Sequence, residues 1–174
     1  MKKLSVKSVT FTAVFAAILA ALSQVALPLP FGVSLTLQTF AAALCGYSLG
    51  AIWGVISVAV YIALGAAGVP VFSSFRSGIG VLAGASGGFI FGFIFLALLC
   101  GIAFNKSKPL CLILSLSGLL LCHLPGVVQF SFVTGTKFFA SFLAVSLPFL
   151  IKDIISVILA YIVAKKIRKH IIKN

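Results

Sequence analysis

The chain has 174 residues, 62% of them hydrophobic and 8% charged, with a mean hydropathy of +1.31, which excludes an ordinary soluble domain and a disordered chain alike. Thirteen Lys and Arg against a single acid give a net charge of +12, but the cations fall in short clusters beside apolar runs, a pattern for lipid headgroups and membrane topology rather than nucleic acid. The sequence offers no acid/base pair, no nucleophile beside a base and no cluster of metal ligands, so neither enzyme activity nor a cofactor is expected.

Apolar stretches of roughly 17–25 residues, each able to cross a ~30 Å hydrocarbon core, recur along the whole chain. Residues 1–174 therefore read as one all-α membrane domain of six transmembrane helices. The first is predicted from about Val9 to Leu27, ending at Pro28-Leu29-Pro30. Its basic start and apolar core resemble a secretory signal, but the run is longer than an h-region and further spans follow, so it is expected to be retained. Ala13, Ala17 and Ala21 form a stripe along it, doubled by Ala16 and Ala20. Such small-residue stripes let another helix approach closely, whether inside the fold or from a partner.

The second helix is predicted over Leu35 to Leu49 and the third over Ala51 to Ala67, with Gly50 as the hinge between them. Gln38 places an amide in an apolar segment, where it serves either as interhelical glue or as a ligand contact. Between Gly65 and Gly92 fall eight of the sixteen glycines. Irregular backbone at membrane depth is tolerated only against protein or a wet cavity, so this connection is expected to fold into a glycine-rich loop that caps a pocket between helices three and four. Gly87, Gly88 and Gly92 fit helix packing better than loop formation. No Gly-Lys-Ser or Gly-Lys-Thr marks a phosphate-gripping loop.

The fourth helix is predicted over Gly87 to Phe104, bounded by Asn105-Lys106-Ser107-Lys108. The fifth starts at Pro109 and is expected to be interrupted at His123-Leu124-Pro125-Gly126. Val127 to Ser146 reads either as an extension of that helix or as a partly embedded loop. His123 and Gln129 flank the interruption; a lone histidine there fits a hydrogen-bonded structural residue better than a ligand. Cys45, Cys100, Cys111 and Cys122 sit in apolar surroundings and read as reduced packing residues. The sixth helix runs from about Leu147 to Ala164 and ends in Lys165-Lys166-Ile167-Arg168-Lys169.

Charge sets the orientation. With both termini cytoplasmic, Lys2, Lys3, Lys7, Lys106, Lys108, Lys165, Lys166, Arg168, Lys169 and Lys173 lie inside, and only Arg76, Lys137 and Lys152 lie outside. The single acid, Asp153, lies in the last apolar segment. A carboxylate near the bilayer interior costs on the order of 3 kcal/mol or more, so this one is expected to bind something; a helix-cap acceptor or a mate for a nearby cation is the alternative. Arg76 and Asp153 fall on the same side of the membrane, which makes a shared site plausible.

Three blocks carry a family resemblance: Leu35-Thr36-Leu37-Gln38-Thr39-Phe40, Gly65-Ala66-Ala67-Gly68-Val69-Pro70-Val71-Phe72, and Gly84-Ala85-Ser86-Gly87-Gly88-Phe89-Ile90-Phe91-Gly92-Phe93. With the closing Pro148-Phe149 and Asp153, they resemble, in order, the blocks of the BioY family of biotin-binding S-components of energy-coupling factor (ECF) transporters. The resemblance implies a six-helix protein of the prokaryotic cell membrane that captures biotin from outside. It further implies partners: a transmembrane coupling protein with two cytoplasmic ATPases, docking on the alanine stripe of Ala13, Ala17 and Ala21. Two departures stand out. The family usually has Gly-Pro-Thr-Gly-Gly where this chain has Gly84-Ala85-Ser86-Gly87-Gly88, and it commonly places a lysine where this chain has Ser156.

Biotin would suit the candidate residues. Ionised Asp153 only accepts hydrogen bonds and matches ureido N–H donors, while the forked guanidinium of Arg76 matches the valerate carboxylate. Lys152 lies about 100° around the helix from Asp153 and reads either as a snorkelling residue or as a ligand contact. Ser156 lies on the face of Asp153 and offers one hydrogen bond. Tyr61, Phe72 and Phe75 are candidates to stack on the bicyclic ring, or to pack. An S-component for another vitamin and a scaffold protein without a ligand are the competing readings.

Overall fold

In hydrocarbon, backbone amides must bond within the protein, and helices do so within themselves. The computed structural model of the protein, which describes residues 6–27 and 33–171, is accordingly helical along most of its length. In chain order the elements are α1 (Val6–Ser23), β1 (Ala26–Leu27), β2 (Leu35–Thr36), α2 (Gln38–Leu49), α3 (Ala51–Ala66), a 3-10 turn (Ser73–Phe75), α4 (Ile79–Ala83), α5 (Gly87–Ala103), α6 (Lys108–Thr134), α7 (Phe138–Val145) and α8 (Leu147–Ile171). Three of these, α1, α6 and α8, contain runs long and apolar enough to cross a membrane, and α3 and α5 are shorter apolar helices. Ile52, Phe95, Ile113, Leu120, Ile151 and Ile155 are among the large apolar side chains left on the exterior, a surface that only lipid or protein would cover.

The core is arranged around α2, of whose 12 residues ten are buried. Its small Ala41, Ala42, Ala43 and Gly46 let α1, α3, α5 and α8 pack against it from all sides. Gly46 meets α5 so closely that a Cβ there would stand 2.2 Å from the Ala97 carbonyl oxygen. The predicted hinge is real: Gly50 has φ +83, a conformation that L side chains rarely adopt, and it turns α2 directly into α3.

The α5–α6 pair is the other close contact. A Cβ on Gly88 would lie 2.1 Å from the Pro125 carbonyl oxygen, and one on Gly92 would lie 2.4 Å from that of Cys122. These two glycines therefore pack helices, as expected. That contact also corrects the expected interruption at His123-Leu124-Pro125-Gly126, because α6 continues through Pro125 as one 27-residue helix. Proline removes one backbone bond, and the tight seat against α5 outweighs that local preference. Val127 to Ser146 is neither a single extension nor a loop. Helix α6 ends at Thr134, Gly135 turns left-handed with φ 68, and α7 follows as a separate short helix.

Other boundaries shift by a few residues. Helix α1 stops at Ser23 and α2 starts at Gln38, because Ala26 and Leu27 pair antiparallel with Thr36 and Leu35 as a two-residue ladder. Pro28-Leu29-Pro30 lies outside the described residues. Helix α8 continues beyond Ala164 through the basic cluster to Ile171. Lys7 of α1, Ser48 and Leu49 of α2, Trp53 of α3 and Arg168 of α8 line one cavity, so those helix ends share one end of the bundle. The connections between α1 and α2, between α3 and α5, and between α6 and α8 form the opposite end.

Candidate functional site

Asp153 lies two turns into α8 and is only 4% exposed. Two neighbours account for a buried carboxylate at this depth. The Lys152 ammonium forms an ion pair with Oδ1, and it also donates to the Thr36 carbonyl oxygen at 2.8 Å. On the other side the His123 Nε2 lies 3.2 Å from Oδ2, while its Nδ1 lies 2.8 Å from the Ser146 hydroxyl. An ionised carboxylate only accepts, so Nε2 carries the proton of that bond. Ser146 is fully buried at the junction of α7 and α8. The polar cluster therefore holds β2, α6, α8 and the α7–α8 junction to one another at this end of the bundle.

These groups form the polar corner of a cavity. Thr36 contributes from β2, Gln38 and Thr39 from the start of α2, and Ser73 and Ser86 from the glycine-rich connection. Phe89, Ile90 and Phe93 of α5, with Val145 and Phe149, supply apolar walls. The Phe89 ring stands edge-on to His123, centroids 5.6 Å apart. A cavity with one hydrogen-bonding, charged corner and aromatic walls suits a small molecule carrying polar groups at one end of an apolar body. Among the described residues, no group of three or more His, Cys, Asp or Glu is placed to hold a metal ion.

The structure brings some of the candidate residues together and separates others. Asp153, Lys152 and Gln38 line the cavity. The helical angle between Lys152 and Asp153 does not keep them apart, because the long lysine stem bends back to the neighbouring carboxylate. Gln38 accepts from the Thr36 hydroxyl at 2.9 Å and donates to the Tyr61 hydroxyl at 2.6 Å. Tyr61 is thus a support behind Gln38 rather than a wall. Phe72 lies further back, its ring 5.5 Å from that of Tyr61 and seated where a Cβ on Gly65 would be, 2.1 Å away. Ser156 is buried one turn along α8 and does not reach the cavity wall.

Phe75 and Arg76 lie on the exposed tip of the glycine-rich connection. Ser74 and Phe75 both hold left-handed φ, 59 and 57, which costs about 1–3 kcal/mol each for non-glycine residues unless the surroundings fix them. The fixing contacts come from the end of α1. Gln24 accepts from the Phe75 N–H at 2.8 Å, and the Gln24 amide and Ser23 hydroxyl both donate to the Val71 carbonyl. Arg76 turns back onto Ser73, with Nη2 3.1 Å from its hydroxyl and Nε 3.2 Å from its carbonyl. Arg76 therefore touches a wall residue without lining the cavity itself.

His123, Phe89 and Phe93 carry more of the site than sequence reasoning assigned to them. A signal for the two phenylalanines was present: they are four residues apart and alternate with the packing glycines Gly88 and Gly92, so one face of α5 carries both. Gln129 also has a definite task, donating to the Leu82 and Gly84 carbonyls at 2.7 and 2.8 Å and tying α4 to α6.

The model of the BioY family matches residues 1–173 of the chain. A probable biotin transporter BioY of Pyrococcus horikoshii is 34% identical over 162 residues, covering 93% of this chain and 96% of that protein. The biotin transporter BioY of Thermotoga maritima is 35% identical over 144 residues, 82% of each chain. Among solved structures, the S-component for biotin from an ECF-type ABC transporter superposes with a TM-score of 0.87 at 27% identity, covering 97% of this chain and 94% of that one.

Proposed function

The chain belongs to the BioY family, and from that membership we propose that it is the biotin-capturing S-component of an ECF-type transporter. It is a transporter subunit and not an enzyme. The observation that carries the reading is the cavity built around the chain's only acid, on a fold that matches a biotin S-component along nearly its whole length.

Within the cavity, the ureido ring of biotin lies at the polar corner. Asp153 accepts its N–H donors and the Lys152 ammonium donates to its carbonyl, replacing part of the bond to Thr36. Lys152 thereby supplies the cation that related sequences place where this chain has Ser156. The bicycle rests on Phe89, Phe93 and Phe149, and Gln38, held by Tyr61, fixes the adjoining wall. The valerate tail runs toward the glycine-rich loop, which caps the cavity and offers the Arg76 guanidinium beside Ser73.

Six helices cross the cell membrane with both termini cytoplasmic. The distribution of cations supports this orientation, as does the shared end occupied by Lys7 and Arg168. A coupling protein with two ATPases docks on α1. Ala13, Ala17 and Ala21 lie exposed there, while Phe15, Ala16 and Leu19 turn into the core, so the stripe is free for a partner, though Ala16 does not widen it.

Two measurements test the proposal. Purified protein should bind radiolabelled biotin with one site per chain; an absence of saturable biotin binding would overturn the ligand assignment. Replacing Ala13 and Ala17 with Trp should abolish uptake in cells and leave binding by the isolated protein intact. Loss of binding in that variant would mean that the stripe packs internally.

A further inference from the structure

We infer that Gln24, the residue after α1, is a positioning residue that latches the glycine-rich loop over the cavity and so sets how fast a ligand enters and leaves. The inference rests on the reading of that cavity as the biotin site capped by this loop. Gln24 does not line the cavity. Its side-chain amide instead meets both limbs of the loop tip at once. The amide oxygen accepts from the Phe75 N–H at 2.8 Å, and the amide nitrogen donates to the Val71 carbonyl oxygen at 3.1 Å. A primary amide offers an acceptor and two donors, which is what an N–H and a carbonyl on facing limbs demand. The Ala20 carbonyl and the Ser23 hydroxyl, 3.1 and 3.0 Å from the same nitrogen, orient it. Ser23 adds a second bond to the Val71 carbonyl.

Between the two gripped residues lies Ser73, which lines the cavity and holds the Arg76 guanidinium on its hydroxyl and carbonyl. Ser74 and Phe75 keep left-handed φ although their side chains are exposed, so burial of those side chains does not fix them. Other ties of the loop run within it or back to α3, from which it issues: the Phe72 N–H donates to the Arg76 carbonyl at 3.0 Å, and the Gly78 N–H to the Gly65 carbonyl at 2.7 Å. Ser23 and Gln24 bind the tip to a separate helix. A strained tip relaxes toward ordinary φ once the contacts that fix it are lost. Loosening Gln24 therefore favours an open cap and lets Ser73 and Arg76 swing off the wall. Because the latch touches the loop and not the ligand, it favours closure equally with the cavity empty or filled. Its loss raises the rates of entry and exit together and leaves their ratio nearly unchanged.

The test compares the full chain with its Gln24→Ala variant, both purified in detergent, by two measurements: biotin association and dissociation rates, and amide hydrogen exchange of the loop tip without biotin. Both rate constants should rise by about tenfold, the order expected for two lost hydrogen bonds to the backbone, while Kd moves by less than about threefold. Exchange at the tip, at Phe75 above all, should accelerate to a similar degree. Gln24→Glu keeps the acceptor for the Phe75 N–H and loses the donor for the Val71 carbonyl, so it should fall between the parent and Gln24→Ala in both measurements. Unchanged exchange at the tip would show that the amide does not hold the loop. Faster exchange with unchanged biotin rates would show that the loop does not gate the cavity. Faster dissociation with unchanged association would make Gln24 a support of the bound ligand instead of a latch. Each of these three results overturns the inference. An absence of biotin binding by the parent chain would remove the ligand assignment, and the exchange measurement would still decide whether the amide holds the loop.

Discussion

The two ends of the bundle treat charge in opposite ways. At the end carrying the glycine-rich loop, Asp153 is surrounded by Lys152, His123 and, through His123, Ser146, so the chain's only carboxylate side chain is answered within the chain. At the opposite end, Arg168 meets a neutral amide oxygen of Asn105 and the ring of Phe104, and the chain's only acidic side chain lies elsewhere. A closed polar network recognises a neutral, hydrogen-bonding group without admitting bulk ions. The same fold thus gives its two ends different chemistry by the placement of a single acidic side chain.

The largest effect should follow from opening the closed end. Asp153→Asn presents amide donors toward ureido donors and leaves the partly buried Lys152 unpaired, so biotin affinity should fall by roughly a hundredfold or more, as expected for two lost charge-assisted bonds. Equilibrium binding checks this, and unchanged affinity would remove Asp153 from the site. Next in size, His123→Ala removes both the support of the carboxylate and the link to Ser146. It should lower stability by about 1–3 kcal/mol, read from thermal unfolding in detergent, and weaken biotin binding with it. Stability equal to that of the parent protein would show that the network is not shared between α6 and α8.

Arg76→Ala should act more narrowly. Affinity for biotin should fall by roughly tenfold, the order of one charge-assisted bond, and affinity for a neutral biotin amide should fall much less. Ser156→Lys should partly restore the loss if its ammonium reaches the same tail. Equal losses for acid and amide would make Arg76 a residue that shapes the loop through Ser73. At the open end, the smallest effect is expected. Lys165→Gln with Lys169→Gln should leave biotin affinity within the error of the measurement, since both residues are exposed far along α8. A clear change there would show that the two ends are coupled.

The long helices were legible because apolar runs bounded by glycine, proline and lysine mark them, and Gly50 announced its hinge. Pro125 misled because its helix-breaking cost is local, whereas its seat against Gly88 is made by a helix more than thirty residues away. The same limit governed the site. Asp153 was legible as a lone acid in an apolar segment, but helical angles alone could not show that the stem of Lys152 would turn back to it. Tyr61 and Phe72 were found as aromatics near the right segments, yet only packing against Gly65 and Gln38 shows that they stand behind the wall. Arg76 was placed at the right end, but its bonds to Ser73 depend on a left-handed loop tip that composition does not encode.

The unequal lengths of α5 and α6 have a mechanical consequence. A 17-residue helix rises about 26 Å and a 27-residue helix about 40 Å, whereas the hydrocarbon slab is ~30 Å thick. Because glycine contacts lock the two together, no single bilayer thickness satisfies both. The bundle must lean, or the surrounding lipid must thin on one flank and thicken on the other, at fractions of a kcal/mol per Å. The preferred tilt of the subunit therefore depends on acyl-chain length. The posture of the bundle is thus one that the lipid itself helps to set.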